Sequence, residues 1–210
     1  MHIPDGFLDA KTWTTTTVAG AAALAYTLHK TKLTVSRKKV PMIALVGSFI
    51  FAAQMINFPI AGATSGHFLG GALAAILFGP LIGSIVMSAV LIIQAFVFQD
   101  GGITVLGANL LCSAFIGCFV GYGIYRSGNA LLRGRGQPLI TFLAGWCSIV
   151  VAAAAVAVLI ALSGTAPLQV VLLAMLGWHS LIGIGEGLIT MFVIAYLGSN
   201  QEYLDEGVSL

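Results

Sequence analysis

The sequence predicts an all-α polytopic membrane protein of about seven transmembrane helices, and three observations carry that expectation. Charged residues make up 8% of the chain and hydrophobic residues 59%, against roughly 25% charged in a soluble domain. Too few ionic groups exist to clothe a water-facing surface, so lipid must be the solvent. Apolar runs recur at lengths near the roughly 20 helical residues that a bilayer core requires. The basic residues gather in two short stretches between those runs.

Taken in order, the runs fall at about 12–29, 40–57, 66–79, 80–98, 103–125, 138–162 and 168–197. The third, bounded by Gly66 and Gly79-Pro80, has about 14 residues and reaches only about 21 Å at a helical rise of 1.5 Å. It cannot cross unaided. The residues before it, Phe58 to Gly66, are expected to dip into the membrane as irregular backbone, which is tolerated only inside protein or along a cavity. His67 would then start a short helix below the surface.

Lys30, Lys32, Arg37, Lys38 and Lys39 follow the first run, and Arg126, Arg133 and Arg135 follow the fifth. The positive-inside rule places both stretches in the cytoplasm. Seven crossings then put the N-terminus outside and the acidic tail of Glu202, Asp205 and Glu206 inside. The chain reads as a single transmembrane domain over 1–210, in the cell membrane and in contact with lipid. Its basic residues form no stripe with interleaved aromatics, which excludes a nucleic-acid interface. Cys112, Cys118 and Cys147 lack the spacing of a disulfide framework or thiolate metal site. No G-x-x-x-x-G-K-[ST] loop is present, so any ATPase must be another polypeptide.

The first nine residues carry Asp5 and Asp9 but no Lys or Arg, unlike the positive start of a secretory signal. Met1 is therefore expected to remain the first residue. Met1-His2 then offers three nitrogens in chelating order: the Met1 amine, the His2 backbone nitrogen and the His2 ring Nδ1. These close a five-membered and a six-membered ring in one plane around an ion. Such a site suits Ni(II) or Cu(II), which accept tetragonal nitrogen donors. His67 is the natural fourth donor. Ile3, Phe7 and Leu8 can dock the segment, and Pro4, Asp5 and Gly6 supply turn chemistry. The small residues around His67, Gly62 to Gly66 and Gly70-Gly71, allow another segment to approach closely.

The opening MHIPDGFLD, the segment QMINFPIAGATSGHFLGG (Gln54 to Gly71) and FQDGGITVLGANL (Phe98 to Leu110) resemble the CbiM/NikM family. These are nickel- or cobalt-specific substrate-binding components of energy-coupling-factor uptake transporters. The resemblance implies an ion held by the N-terminal amine, the backbone and ring nitrogens of the second residue, and a histidine of the SGH segment. Those roles fall here on Met1, His2 and His67. It also implies a transmembrane coupling subunit and cytoplasmic ATPases as partners, with a small accessory membrane protein in many systems. Ni2+ or Co2+ is then the transported substrate, and no catalytic cofactor is expected.

Ser65 and Asn57 either bond the second ring nitrogen of a ligating histidine, as outer-shell groups commonly do, or satisfy the backbone of their own loop. His179 and Glu186, seven apart, share one face of the last helix. Glu186 either tunes the ion's surroundings or, protonated, donates an interhelical hydrogen bond. Asp100 reads as a turn residue. Ala19 to Ala23 and Ala25 give the first helix small-residue faces expected to pack internally, with docking of the coupling subunit on one of them as the alternative. A self-sufficient metal permease would spread several acidic or histidine residues along a path, and this chain has one deep carboxylate. An enzyme is the least favoured class, because a filled nitrogen square has neither an open position nor a general base.

Overall fold

The computed structural model describes residues 1–31, 37–60 and 64–199. It consists of helices and one very short β ladder. Lys32, Gly62, Ala63 and the acidic residues Glu202, Asp205 and Glu206, all named above, lie outside the described residues.

Helix α1 spans Ala10–Thr31 and is capped by Asp9, whose Oδ1 accepts the Thr12 N–H at 3.2 Å. The small-residue face does not pack internally as expected: Gly20 is buried, whereas Ala19, Ala21, Ala22 and Ala25 are exposed. A Cβ on Gly20 would lie 2.8 Å from the Gly107 carbonyl oxygen, and one on Gly107 would lie 2.2 Å from the Thr17 Cα, so α1 is held through Thr16, Thr17 and Gly20 rather than through its alanines. Helix α2, Val40–Gln54, ends three residues before the apolar run does. Beyond it, Phe58 pairs with Gly66 and Pro59 with Ser65 in an antiparallel ladder.

The third run departs most from expectation. Helix α3 covers only Gly71–Phe78, about 12 Å of rise, and all of its residues are buried. His67 precedes it in non-helical backbone and is not part of a short helix. The helix begins late because Gly70 adopts φ +84°, and a Cβ there would collide with Ile50 at 2.8 Å. Gly79, at φ 84° and ψ 158°, ends α3, and Pro80 starts α4, where its missing N–H costs nothing.

Helix α4, Pro80–Phe98, runs 19 residues and its last turn, Gln94–Phe98, widens to π-helical geometry. Helix α5, Leu106–Leu131, is 26 residues long and is π-helical over Leu110–Ile116. It extends past the predicted end, so Arg126 belongs to its last turns while Arg133 and Arg135 occupy the turn that follows. Helix α6 spans Gln137–Leu162 and α7 spans Leu168–Ser199. These two pack along most of their length. A Cβ on Gly145 of α6 would meet the Gly187 Cα of α7 at 3.0 Å.

Four of these helices, α4 to α7, are long and apolar enough to cross a membrane. At 1.5 Å per residue the shortest reaches about 28 Å, near the hydrocarbon thickness. Their outer faces carry Phe96, Val97, Leu173, Leu181 and Phe192, all exposed, as lipid contact demands. The chain is a membrane protein. Buried α3 sits inside the bundle, and the non-helical segment before it meets the N-terminus at one end.

Candidate metal centre

The N-terminal segment is held by the loop between α4 and α5 and by the first turn of α5. Asn109 grips Ile3 from both sides: its Oδ1 accepts the Ile3 N–H at 2.8 Å, and its Nδ2 donates to the Ile3 carbonyl at 3.1 Å. The Gly102 N–H adds a bond of 2.9 Å to the same carbonyl. Asp5 then accepts from the Ile103 and Thr104 backbone amides, at 3.2 and 2.9 Å, and from the Thr104 hydroxyl. Those three bonds hold the Asp5 carboxyl below its ordinary range, the Thr104 hydroxyl most of all.

Gly101 and Gly102 are required by this approach. A Cβ on Gly101, at φ +99°, would lie 3.3 Å from the His2 Cβ, and one on Gly102 would lie 2.5 Å from the Asp5 nitrogen. Met1 and Ile3 are fully buried in consequence, and His2 is 4% exposed.

Against this segment lies the backbone of residues 64–70. The Ser65 hydroxyl oxygen is 3.1 Å from the Met1 amine nitrogen and 3.3 Å from the His2 amide nitrogen. The two nitrogens therefore face the same point. The His2 and His67 rings pack with centroids 4.4 Å apart and planes inclined by 34°. His67 Nδ1 lies 2.6 Å from the Phe68 carbonyl oxygen. A carbonyl only accepts, so Nδ1 carries the proton. Its Nε2 is then an unprotonated lone-pair donor, buried and without a partner.

His2 is oriented differently from expectation. Its Nδ1 sits 3.0 Å from Asp100 Oδ1, and its Nε2 is the unpartnered nitrogen. Asp100 is thus more than a turn residue. Asn57 reaches the other carboxylate oxygen at 2.9 Å, so it acts on His2 through Asp100 and bonds no imidazole itself. The Ser65 hydroxyl likewise faces the Met1 amine and the His2 amide rather than the His2 or His67 ring. His179 lies beside the Ser65 backbone, with Nδ1 2.8 Å from the Met175 carbonyl. Glu186 accepts two backbone N–H bonds, from Leu69 at 2.6 Å and Gly70 at 2.7 Å. Both of its oxygens are taken up by the backbone of the segment that carries His67.

Burial dominates the protonation of the cluster. It holds the Met1 amine well below the 8.0 of an ordinary α-amine, although the Asp100 charge opposes it. His2 is lowered from 6.5 for the same reason, again against the pull of Asp100. Burial alone would raise the Asp100 carboxyl, but His2, the amine and Asn57 outweigh it and the net shift is downward. A neutral amine and neutral imidazoles are what metal ligation needs. Among the described residues no group of three or more His, Cys, Asp or Glu side chains is placed to hold an ion.

The model of the CbiM family, described as the cobalt uptake substrate-specific transmembrane region, matches residues 2–204. The chain belongs to the CbiM family. This CbiM chain is 42% identical over 95% of its length to a protein of Archaeoglobus fulgidus named putative fused nickel transport protein NikMN, of which it covers 66%. It is 38% identical over 95% of its length to a putative metal transport protein of Haloquadratum walsbyi, covering 90% of that protein. A fused nickel transport protein NikMN of Rhodobacter capsulatus is 34% identical over 97% of the chain and is covered to 64%. The chain thus spans about two thirds of the two fused relatives. A crystal structure of a transition metal transporter superposes with a TM-score of 0.91 at 36% identity, over 96% of this chain and 94% of that one. A truncated transition metal transporter gives a TM-score of 0.90, also at 36% identity, over 95% and 99%. The description of the family and the names of these relatives are of cobalt uptake and nickel or metal transport, and this chain is a membrane protein of that family.

Proposed function

We propose that this chain captures Ni2+, with Co2+ as the second candidate, at the outer face of the cell membrane as the substrate-specificity subunit of an energy-coupling-factor transporter. The observation that carries the reading is the burial of an α-amine and the adjacent backbone amide beside the orphaned Nε2 of His67. Exposed termini are ordinarily loose, and a buried amine of lowered basicity beside an unpaired imidazole nitrogen has the character of a ligand set.

In this reading the Met1 amine, the His2 amide nitrogen, the His2 Nδ1 and the His67 Nε2 form the square. The His2 ring must leave Asp100 for this. A half-turn about Cβ–Cγ exchanges Nδ1 with Cδ2 and brings Nδ1 round to the chelate side, while Nε2–H, next to Cδ2 on the ring, comes toward the carboxylate. The Ser65 hydroxyl stands where the His2 N–H points, the direction from which an ion reaches that nitrogen, so it too yields. Planar geometry and amide deprotonation favour nickel. The names of the fused relatives agree with that preference.

Residues 1–210 act as one transmembrane domain with about seven crossings, the N-terminus outside and the C-terminus in the cytoplasm. A transmembrane coupling subunit and cytoplasmic ATPases, with a small accessory membrane protein in some systems, supply the energy that releases the ion inward. Lipid vesicles containing the purified chain should bind nickel and accumulate none. Accumulation without partners or nucleotide would establish a self-sufficient permease in place of this reading. His67→Ala should weaken nickel binding at equilibrium about tenfold or more, and unchanged affinity would remove His67 from the site.

A further inference from the structure

The donors of the proposed square come from two separately anchored pieces. Met1 and His2 belong to a segment clamped by Asn109 and the Asp100–Thr104 loop. His67 belongs to a segment laid along α7: Thr64 donates to the Met175 sulfur at 3.7 Å, His179 lies beside Ser65, and a Cβ on Gly66 would touch Ile182 at 2.9 Å. Met175, His179, Ile182 and Glu186 recur at helical spacing on one face.

Glu186 ends that face. Its Oε2 accepts the Leu69 N–H at 2.6 Å and its Oε1 the Gly70 N–H at 2.7 Å. The Leu69 N–H and the Phe68 carbonyl are the two ends of one peptide plane. In a trans peptide they point in opposite directions, so a carboxylate that fixes the N–H also fixes the carbonyl. That carbonyl holds His67 Nδ1 at 2.6 Å. From the other side, Gln54 donates to the Leu69 carbonyl at 2.5 Å, which keeps the strand of backbone from rotating.

We infer that Glu186 is the positioning residue for His67, acting through the Phe68–Leu69 peptide to hold the imidazole in its Nδ1–H tautomer with Nε2 turned to the ion. The chain carboxylate, peptide, imidazole repeats the outer-shell logic of a carboxylate–histidine–metal triad with one amide interposed. Glu186 itself does not touch the ion. The bracket also ties His67 to α7, so a shift of α7 against the N-terminal segment pulls one corner from the square. The inference rests on the proposed Met1, His2 and His67 site.

The test is a double-mutant cycle on the full chain, titrated with nickel and followed by visible absorption of the planar complex. Glu186→Gln presents an amide NH2 to one of the two N–H groups and cannot accept both bonds. It should lower affinity about tenfold or more in the wild-type background and less than about twofold in the His67→Ala background, because its effect runs through His67. Wild-type affinity in Glu186→Gln, or an equal loss in both backgrounds, would overturn the assignment while leaving the metal site intact. Unchanged binding in His67→Ala alone would show that the site reading has failed, and the inference with it. Should Glu186→Gln not fold, the nitrogen-15 shifts of the His67 ring in the wild-type protein decide: an Nδ1-protonated ring supports the bracket and an Nε2-protonated ring refutes it.

Discussion

Placing one alanine before Met1 alters no existing side chain, yet it should abolish nickel binding. The new peptide bond converts the amine, which is 3.1 Å from Ser65 and buried, into an amide without a basic lone pair. It also needs room for an extra residue where Met1 is already 0% exposed. If the segment undocks to make room, it gives up the burial of Met1 and Ile3, about 1.5 to 3 kcal/mol each. The bonds that Asn109 and Gly102 make to Ile3 are worth roughly 0.5 to 1.5 kcal/mol apiece. If the segment stays docked, one donor and one chelate ring are still gone. Either route predicts a loss of more than about a hundredfold, equivalent to at least about 2.7 kcal/mol. Titration calorimetry of the native and extended chains measures it, and a cleavable leader whose removal leaves Met1 first should restore full affinity. Binding by the extended chain within about threefold of native would refute the reasoning.

Four further outcomes follow from the same geometry. Both Met1 and His2 are bases whose proton affinity is depressed in the folded site, so the undocked segment holds more protons between the depressed values and the ordinary 8.0 and 6.5. Docking and metal affinity should strengthen as pH rises through that window and weaken as it falls; nickel affinity measured from about pH 5 to about pH 9 checks this, and a flat profile would exclude nitrogen ligation. Asp100→Asn removes the carboxylate that pairs with His2 at 3.0 Å and should weaken nickel binding about tenfold, whereas tighter binding would make Asp100 a competitor of the ion for the ring. Ser65→Ala should keep the planar absorption signature, since it deletes no donor nitrogen, and loss of that signature would make Ser65 a ligand. Gly107→Ala puts a Cβ 2.2 Å from the Thr17 Cα and should destabilise the α1–α5 contact by about 1 to 3 kcal/mol, read as a lower midpoint in thermal unfolding in detergent.

The proposed donors can be named from the sequence because a chelate of amine, amide and imidazole is written in two adjacent residues. The last helix was equally legible as a face, since His179 and Glu186 sit seven apart. Their partners were not. Asp100 meets His2 across 98 positions and Asn109 meets Ile3 across 106, distances at which no periodicity carries information. The place of His67 was misread for a local reason. An apolar run from 66 to 79 looks helical throughout, but Gly70 in the left-handed region delays the helix to Gly71, and the preceding backbone takes its hydrogen bonds from Glu186 and Gln54. The alanines of α1 misled because composition marks a helix as able to pack closely without saying which neighbour it packs against.

X-ray absorption at the nickel edge of the loaded, native-start protein tests the proposed square most directly. Four nitrogen donors in a plane, with the edge feature of square-planar nickel lost in His67→Ala, is the predicted result. A six-coordinate ion with oxygen donors, unaffected by His67→Ala, would contradict it.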